Sequence, residues 1–92
     1  MKVRPREVAI REAWRVFDAP VPDWVRQLAV DNIIDLDSYT AAVAVLPTWN
    51  LGDTRREPLF ARVGDWLVDS GPDSPPAVYS DAKFRETFEE VR

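Results

Sequence analysis

A glycine–aspartate pair followed by three large apolar residues restricts the fold of this chain more than any other feature. The stretch runs Val63-Gly64-Asp65-Trp66-Leu67-Val68. Gly-Asp is typical of a tight turn, because glycine adopts the backbone angles that turns require and aspartate accepts hydrogen bonds from nearby backbone amides. A short apolar run bounded by a turn indicates a buried strand. We therefore predict a turn at 64–65 and a core strand at 66–68.

The composition limits both the size of the fold and its chemistry. The 92 residues allow one modest core, which four Trp, four Phe and two Tyr are enough to fill. We therefore expect a single domain over 1–92. The chain has no Cys and no His, which excludes disulfides, the usual zinc sites, and Ser-His-Asp or Cys-His triads. The composition thus predicts a protein that is not an enzyme, with no catalytic residue, no cofactor and no metal.

The charge distribution bears on partners and location. The net charge of −4 divides into +2 over residues 1–30 and −6 over residues 31–92. No basic face large enough for duplex DNA is evident, so we expect no nucleic-acid partner. Neither a signal peptide nor a continuous apolar run of membrane-spanning length is present. We therefore expect no membrane association and a cytoplasmic location, in a host bacterium.

Two periodic segments dominate the first third of the chain. Apolar and polar residues alternate over 8–17, which predicts a long, half-buried strand. Its apolar face carries Val8, Ile10, Trp14 and Val16, and its polar face, which we expect to meet solvent, carries Glu7, Arg11 and Arg15. Pro22 suits the start of a helix, and helical spacing continues to residue 30. The apolar stripe of this predicted helix, at about 22–30, consists of Val21, Trp24, Val25, Leu28 and Ala29.

The rest of the chain reads as short strands joined by turns. Strands are predicted at 33–36 and 77–79, and the turn residues 50–53 favour a hairpin between 40–49 and 57–63. The Ala-rich residues 40–46 leave a helix open as an alternative.

Ser80 is a good N-cap for a short helical turn near 81–85, and segment 86–91 is expected to pair with the first strand. The predicted fold class is α+β, with one strongly bent, mostly antiparallel sheet of about five or six strands. An alternative is that this sheet is partly closed into a barrel.

This order of elements resembles a family of small phage and prophage proteins named for a Pro-Gly-Asp-Tyr-Gly-like motif. They open on a basic segment and a long alternating strand, here Lys2 to Phe17, followed by a Trp-bearing helix. Their central Gly-Asp-aromatic motif corresponds to Gly64 to Val68, and their closing elements to Tyr79 and to Phe84 through Glu89. The resemblance implies a compact α+β domain of phage type, with no assigned function.

Two sets of acidic residues have a structural and a functional interpretation. Asp65 is a candidate catalytic carboxylate, but we favour a turn aspartate that accepts backbone amides two residues on. Asp35 and Asp37 alternate along a strand and so share a face, which suits a hard cation. Without a third fixed ligand we favour a solvated strand face for this pair.

The candidate binding residues are Trp49, Arg55, Arg56 and Arg62. Aromatic and Arg side chains in loops are typical anchors for partners, and Arg pairs also bind phosphates. The alternative is a Trp that closes the end of the core beside solvated arginines. Trp14, Trp24 and Trp66 are instead predicted to be core residues.

Three functions fit these observations. The first is a non-enzymatic, phage-type binding protein that modulates a host or defence-system protein. The second is a protein that binds or sequesters a phosphate-bearing, nucleotide-like signal through Arg55, Arg56 or Arg62. The third, which we rank last, is a hydrolase that uses two carboxylates from Asp35, Asp37, Asp65 and Asp69. Monomer and homodimer both remain open.

Overall fold

The computed structural model describes residues 1–5, 10–37, 42–46, 58–71 and 74–91. Over these residues the chain forms eight strands and two helices. The strands are β1 (Lys2–Pro5), β2 (Arg11–Arg15), β3 (Ile34–Asp37), β4 (Ala42–Val45), β5 (Leu59–Arg62), β6 (Trp66–Val68), β7 (Ala77–Tyr79) and β8 (Phe88–Glu90). The helices are α1 (Asp23–Val30) and α2 (Asp81–Thr87). The predicted α+β class is confirmed.

The strands form two antiparallel sheets, where we predicted one bent sheet of five or six strands. The larger sheet has the order β7-β6-β2-β1-β8 and the smaller one the order β3-β4-β5. Neither sheet closes into a barrel. The chain passes from the smaller sheet to the larger one through the turn between β5 and β6. A turn of this sequence can lead to a strand of the same sheet or of another sheet. The sequence pattern therefore did not show that β5 and β6 belong to different sheets.

The predicted strand over 8–17 is also corrected. Its described part is the five-residue β2, while Lys2 to Pro5 forms a separate antiparallel strand, with Val3 opposite Arg11. A period-two pattern does not show where a chain reverses, because both strands of a hairpin alternate. The predicted pairing of segment 86–91 with the strand over 8–17 is wrong, because β8 pairs with β1, with Val3 opposite Glu90, while β2 lies between β6 and β1.

The predicted hairpin of the smaller sheet is confirmed. β4 is a strand, not the alternative helix, and it pairs with β5 so that Val43 lies opposite Ala61. Both of these side chains are fully buried. Val43 and Val45 are β-branched residues at alternate positions, which favour a strand with one face in the core. They explain why the Ala-rich segment forms a strand.

Both helices lie close to their predicted positions. α1 begins one residue after Pro22, and its Val25 is fully buried while Val30 at its end is 73% exposed. α2 extends two residues beyond the predicted end at 85. Ser80 caps it as predicted, because its Oγ accepts a hydrogen bond from the Lys83 amide at 3.2 Å. No helix within the described residues is long and apolar enough to cross a membrane.

Two apolar clusters lie on opposite faces of β2 and β6. Trp14 and Leu67 point into the first cluster, with α1 and the smaller sheet. Their neighbours Ala13 and Trp66 point into the second, with α2. Successive strand residues face opposite ways, so these two strands are covered on both sides. The face of β2 predicted to be solvated is therefore a second core, beside which Arg15 is half-buried.

Candidate binding surface

The predicted binding residues fall into two groups. Trp49, Arg55 and Arg56 lie outside the described residues, and their binding role stays a prediction. Arg62 is the last residue of β5 and is exposed. β5 pairs with β4, and β4 pairs in turn with β3, which carries Asp35 and Asp37.

The strand register brings Arg62 and the two predicted strand aspartates onto one face. Across the smaller sheet, Asp35 lies opposite Ala44, and Ala44 lies opposite Phe60. The next row repeats this order with Asp37, Ala42 and Arg62. Residues directly opposite each other in a sheet project to the same side. The resulting outer sheet face consists of Asp35, Asp37, Ala42, Ala44, Phe60 and Arg62.

The outer sheet face has a shallow apolar centre between two different edges. Ala42 and Ala44 at this centre are half-buried, and the side chain of each is a single methyl group. Phe60 on one side is 63% exposed, and Asp35 on the other side is also exposed. Strands lie about 4.8 Å apart, so the two edges are separated by roughly 10 Å.

Two further exposed apolar side chains lie at the two ends of β5, and Leu59, opposite Val45, is on the other side of the strand from Phe60. Val63, directly after the strand, is 63% exposed, and Leu59 at its start is 45% exposed. Sequence reasoning did not identify Phe60 as a surface residue. The signal was nevertheless present, because Phe60 and Arg62 are two residues apart in a strand and therefore share the polar side.

The acidic pair on β3 lies as the alternation predicted. Asp35 and Asp37 are both exposed and share one face. A cation held by protein side chains needs more ligands than two aspartates on one strand provide. Over the described part of the chain, no group of three or more acidic side chains is arranged to hold a metal ion.

Asp65 organises the turn before β6. Its Oδ2 accepts the Arg62 amide at 2.9 Å, and its own amide donates to the Arg62 carbonyl at 2.9 Å. Gly64 has a φ of +93°, which side chains other than hydrogen rarely allow. The structural interpretation of Asp65 fits this geometry, although its amide partner lies three residues before it and not two residues after.

The carboxylates considered for hydrolysis are dispersed. Asp69 accepts the Gly71 amide at 3.0 Å, at the opposite end of β6 from Asp65. Asp35 and Asp37 lie on β3 in the smaller sheet, and among these four residues they alone share a strand face.

The predicted core tryptophans differ in their burial. Trp14 and Trp66 are buried, with 4% and 8% exposure. Trp24 is half-buried, and its buried indole N–H has no hydrogen-bond partner within the described part of the chain. Trp14 donates instead to the Asp18 carbonyl at 2.9 Å.

The fold and the outer sheet face define a small α+β protein with a rigid surface of mixed apolar and charged character. The chain matches no protein-family model, and neither a curated protein nor a solved structure shows significant similarity to it. The outer sheet face itself is therefore the basis for inferring a function.

Proposed function

We propose that the protein is a non-enzymatic binding module that contacts another protein through its outer sheet face. The observation that supports this proposal most is Phe60, an aromatic side chain that is 63% exposed and fixed on a strand beside Arg62. Aromatic residues and Arg are enriched among the residues that dominate binding energy at protein interfaces. Because β5 pairs along its whole length with β4, these anchors are held on a rigid element.

The two alanines at the centre of the outer sheet face support a close contact with a partner. Small side chains at the centre of a sheet face let a partner backbone approach, while Phe60 at the edge supplies apolar area.

The charges at the two edges of the outer sheet face predict the charged residues that a partner should carry. Arg62 favours an acidic residue above the β5 edge, and Asp35 favours a basic residue above the β3 edge. A partner segment that crosses the strands would carry these charges roughly 10 Å apart, with an apolar side chain between them. Trp49, Arg55 and Arg56 precede β5 in the chain and are further candidate anchors.

The resemblance to phage and prophage proteins supports a biological setting for this activity. In this proposal the module modulates a host or defence-system protein in the bacterial cytoplasm. Affinity then comes from a few aromatic and Arg anchors, and no chemical step is required.

The proposal is tested by capturing partners from bacterial lysate with the wild-type protein and with Phe60→Ala and Arg62→Glu variants. A specific partner should be retained by the wild type and lost with either variant. The matched control is Val30→Ala, which removes an apolar side chain that is 73% exposed on α1. With the purified partner, Phe60→Ala should raise Kd about 30-fold, as loss of a residue worth about 2 kcal/mol does. Equal retention of the partner by all variants would rule out this surface.

A further inference from the structure

A cavity of about 500 Å³ opens beside α2, away from the outer sheet face. Its walls include Arg15 from β2, Trp66 from β6 and Phe84, Arg85 and Phe88 from the C-terminal segment. None of the outer-sheet-face residues lines it. The volume falls within the range of small-molecule sites, which are mostly apolar with a few placed polar groups.

The apolar wall of the cavity is already formed. The rings of Trp66 and Phe84 stack with centroids 3.9 Å apart and planes inclined by 4°. Phe88 continues the stack, with its centroid 5.2 Å from that of Phe84. These rings pack in the second apolar cluster, so a ligand would meet a surface that needs no rearrangement.

Arg15 is the unusual polar group in this wall. It lies directly opposite Trp66 in the sheet and is half-buried. Its Nη2 reaches over the turn, 3.9 Å from where a Cβ on Gly64 would stand. Among the described residues its guanidinium makes neither a hydrogen bond nor an ion pair, although it lies close enough to Asp81 to interact with that carboxylate electrostatically. A partly buried guanidinium without a hydrogen-bond partner favours an anion, most of all one that accepts two parallel hydrogen bonds.

Arg85 is positioned at the same cavity through Asp81. Asp81 accepts the Trp66 indole N–H at 3.0 Å with Oδ1 and the Arg85 Nε–H at 2.9 Å with Oδ2. The aspartate therefore joins the apolar wall to the second guanidinium. The Nη groups of Arg85 are not used in these two bonds.

The charge around the cavity indicates which anion fits. Two exposed carboxylates, Asp18 and Glu90, also line it. Together with Asp81, which is bonded to Arg85, they offset the charges of Arg15, Arg85 and the Met1 amino group, so the cavity has no surplus of positive charge to offset a dianion. A single negative charge directed at Arg15 is favoured over a doubly charged phosphate.

We propose that this cavity binds a small carboxylate that carries an apolar body. The carboxylate pairs with the guanidinium of Arg15, and the apolar body packs against the wall formed by Trp66, Phe84 and Phe88. This ligand site is separate from the outer sheet face. The proposal for it does not depend on the proposed protein-binding function.

The test is a titration with phenylacetate, followed by the indole N–H signals of the ¹⁵N-labelled protein. We expect a saturable shift of the Trp66 signal, assigned with Trp66→Phe, while those of Trp14 and Trp24 stay unchanged. Arg15→Gln should raise Kd by about tenfold or more, the effect of losing one charge-assisted hydrogen bond. Arg26→Gln is the matched control, since Arg26 is exposed on α1.

Three outcomes would overturn the proposal. They are the absence of a saturable Trp66 shift in the wild type, an unchanged Kd in Arg15→Gln, and binding of benzyl alcohol or phenyl phosphate as tight as that of phenylacetate. The neutral and dianionic probes are compared on the wild-type protein, so the anion class is decided even where Arg15→Gln fails to fold. Arg15→Lys provides a second variant that keeps the charge and loses the paired donors.

Discussion

At the scale of single residues, the protonation of Asp81 should change the stability of the fold. Its hydrogen bond from the Trp66 indole, and then its bond and ion pair with Arg85, lower the pKa of this carboxyl below its ordinary value of 3.8. The folded state therefore takes up a proton at Asp81 less readily than the unfolded state. The stability contributed by Asp81 is fully present above pH 3.8 and is lost as the pH falls through the lowered pKa.

We accordingly expect Asp81→Asn to have a lower free energy of unfolding than the wild type at neutral pH. The difference between the two proteins should become smaller as the pH falls below about 3.8. Urea unfolding of both proteins at neutral pH and near pH 3 measures this difference. Asp23→Asn is the control, because Asp23 holds the equivalent first position of α1. If the difference in free energy of unfolding did not depend on pH, Asp81 would not be an ionised carboxylate that accepts two stabilising hydrogen bonds.

At the scale of elements, Phe60 and Phe84 are the same residue type in opposite environments. Phe84 is 4% exposed in α2 and stacks on Trp66, whereas Phe60 is 63% exposed on β5. Phe84→Ala should lower the free energy of unfolding by about 3–5 kcal/mol, because it removes a ring and leaves a cavity. Phe60→Ala should change it by less than about 0.5 kcal/mol.

Urea denaturation checks both values. Phe84→Leu provides a folded reference if Phe84→Ala does not fold, since it retains much of the side-chain volume. A large loss of stability in Phe60→Ala would show that the outer sheet face is structural, and it would weaken the proposed binding role as well.

At the scale of the whole molecule, the two apolar clusters share β2 and β6. Neither cluster can lose its packing without exposing strands that the other requires, so we expect one cooperative unfolding transition. Val25→Ala in the first cluster and Val68→Ala in the second should each cost about 2 kcal/mol. In both variants, tryptophan fluorescence and far-ultraviolet circular dichroism should give the same midpoint. Separate midpoints would show that the clusters unfold independently.

The sequence alone determined most of the local structure, because the relevant signals lie within a few residues of one another. Glycine at 64 and the apolar run after it identified the turn and β6, and helical spacing identified α1. Ser80 identified the start of α2 through a hydrogen bond to an amide three residues away. Each of these is a short-range effect of backbone freedom, capping or periodicity.

The tertiary structure decided what the strands pair with and which of their faces meet solvent. Arg15 appeared to lie on a solvated face, and only the packing of α2 against β2 and β6 made that face a second core and placed Arg15 beside a cavity. Phe60, Arg62 and Asp35 likewise became one surface only through the register of three strands. Pairing depends on contacts between residues far apart in the chain, and alternation is the same whichever strand is the partner. For that reason the elements could be predicted from the sequence, whereas the candidate sites could not.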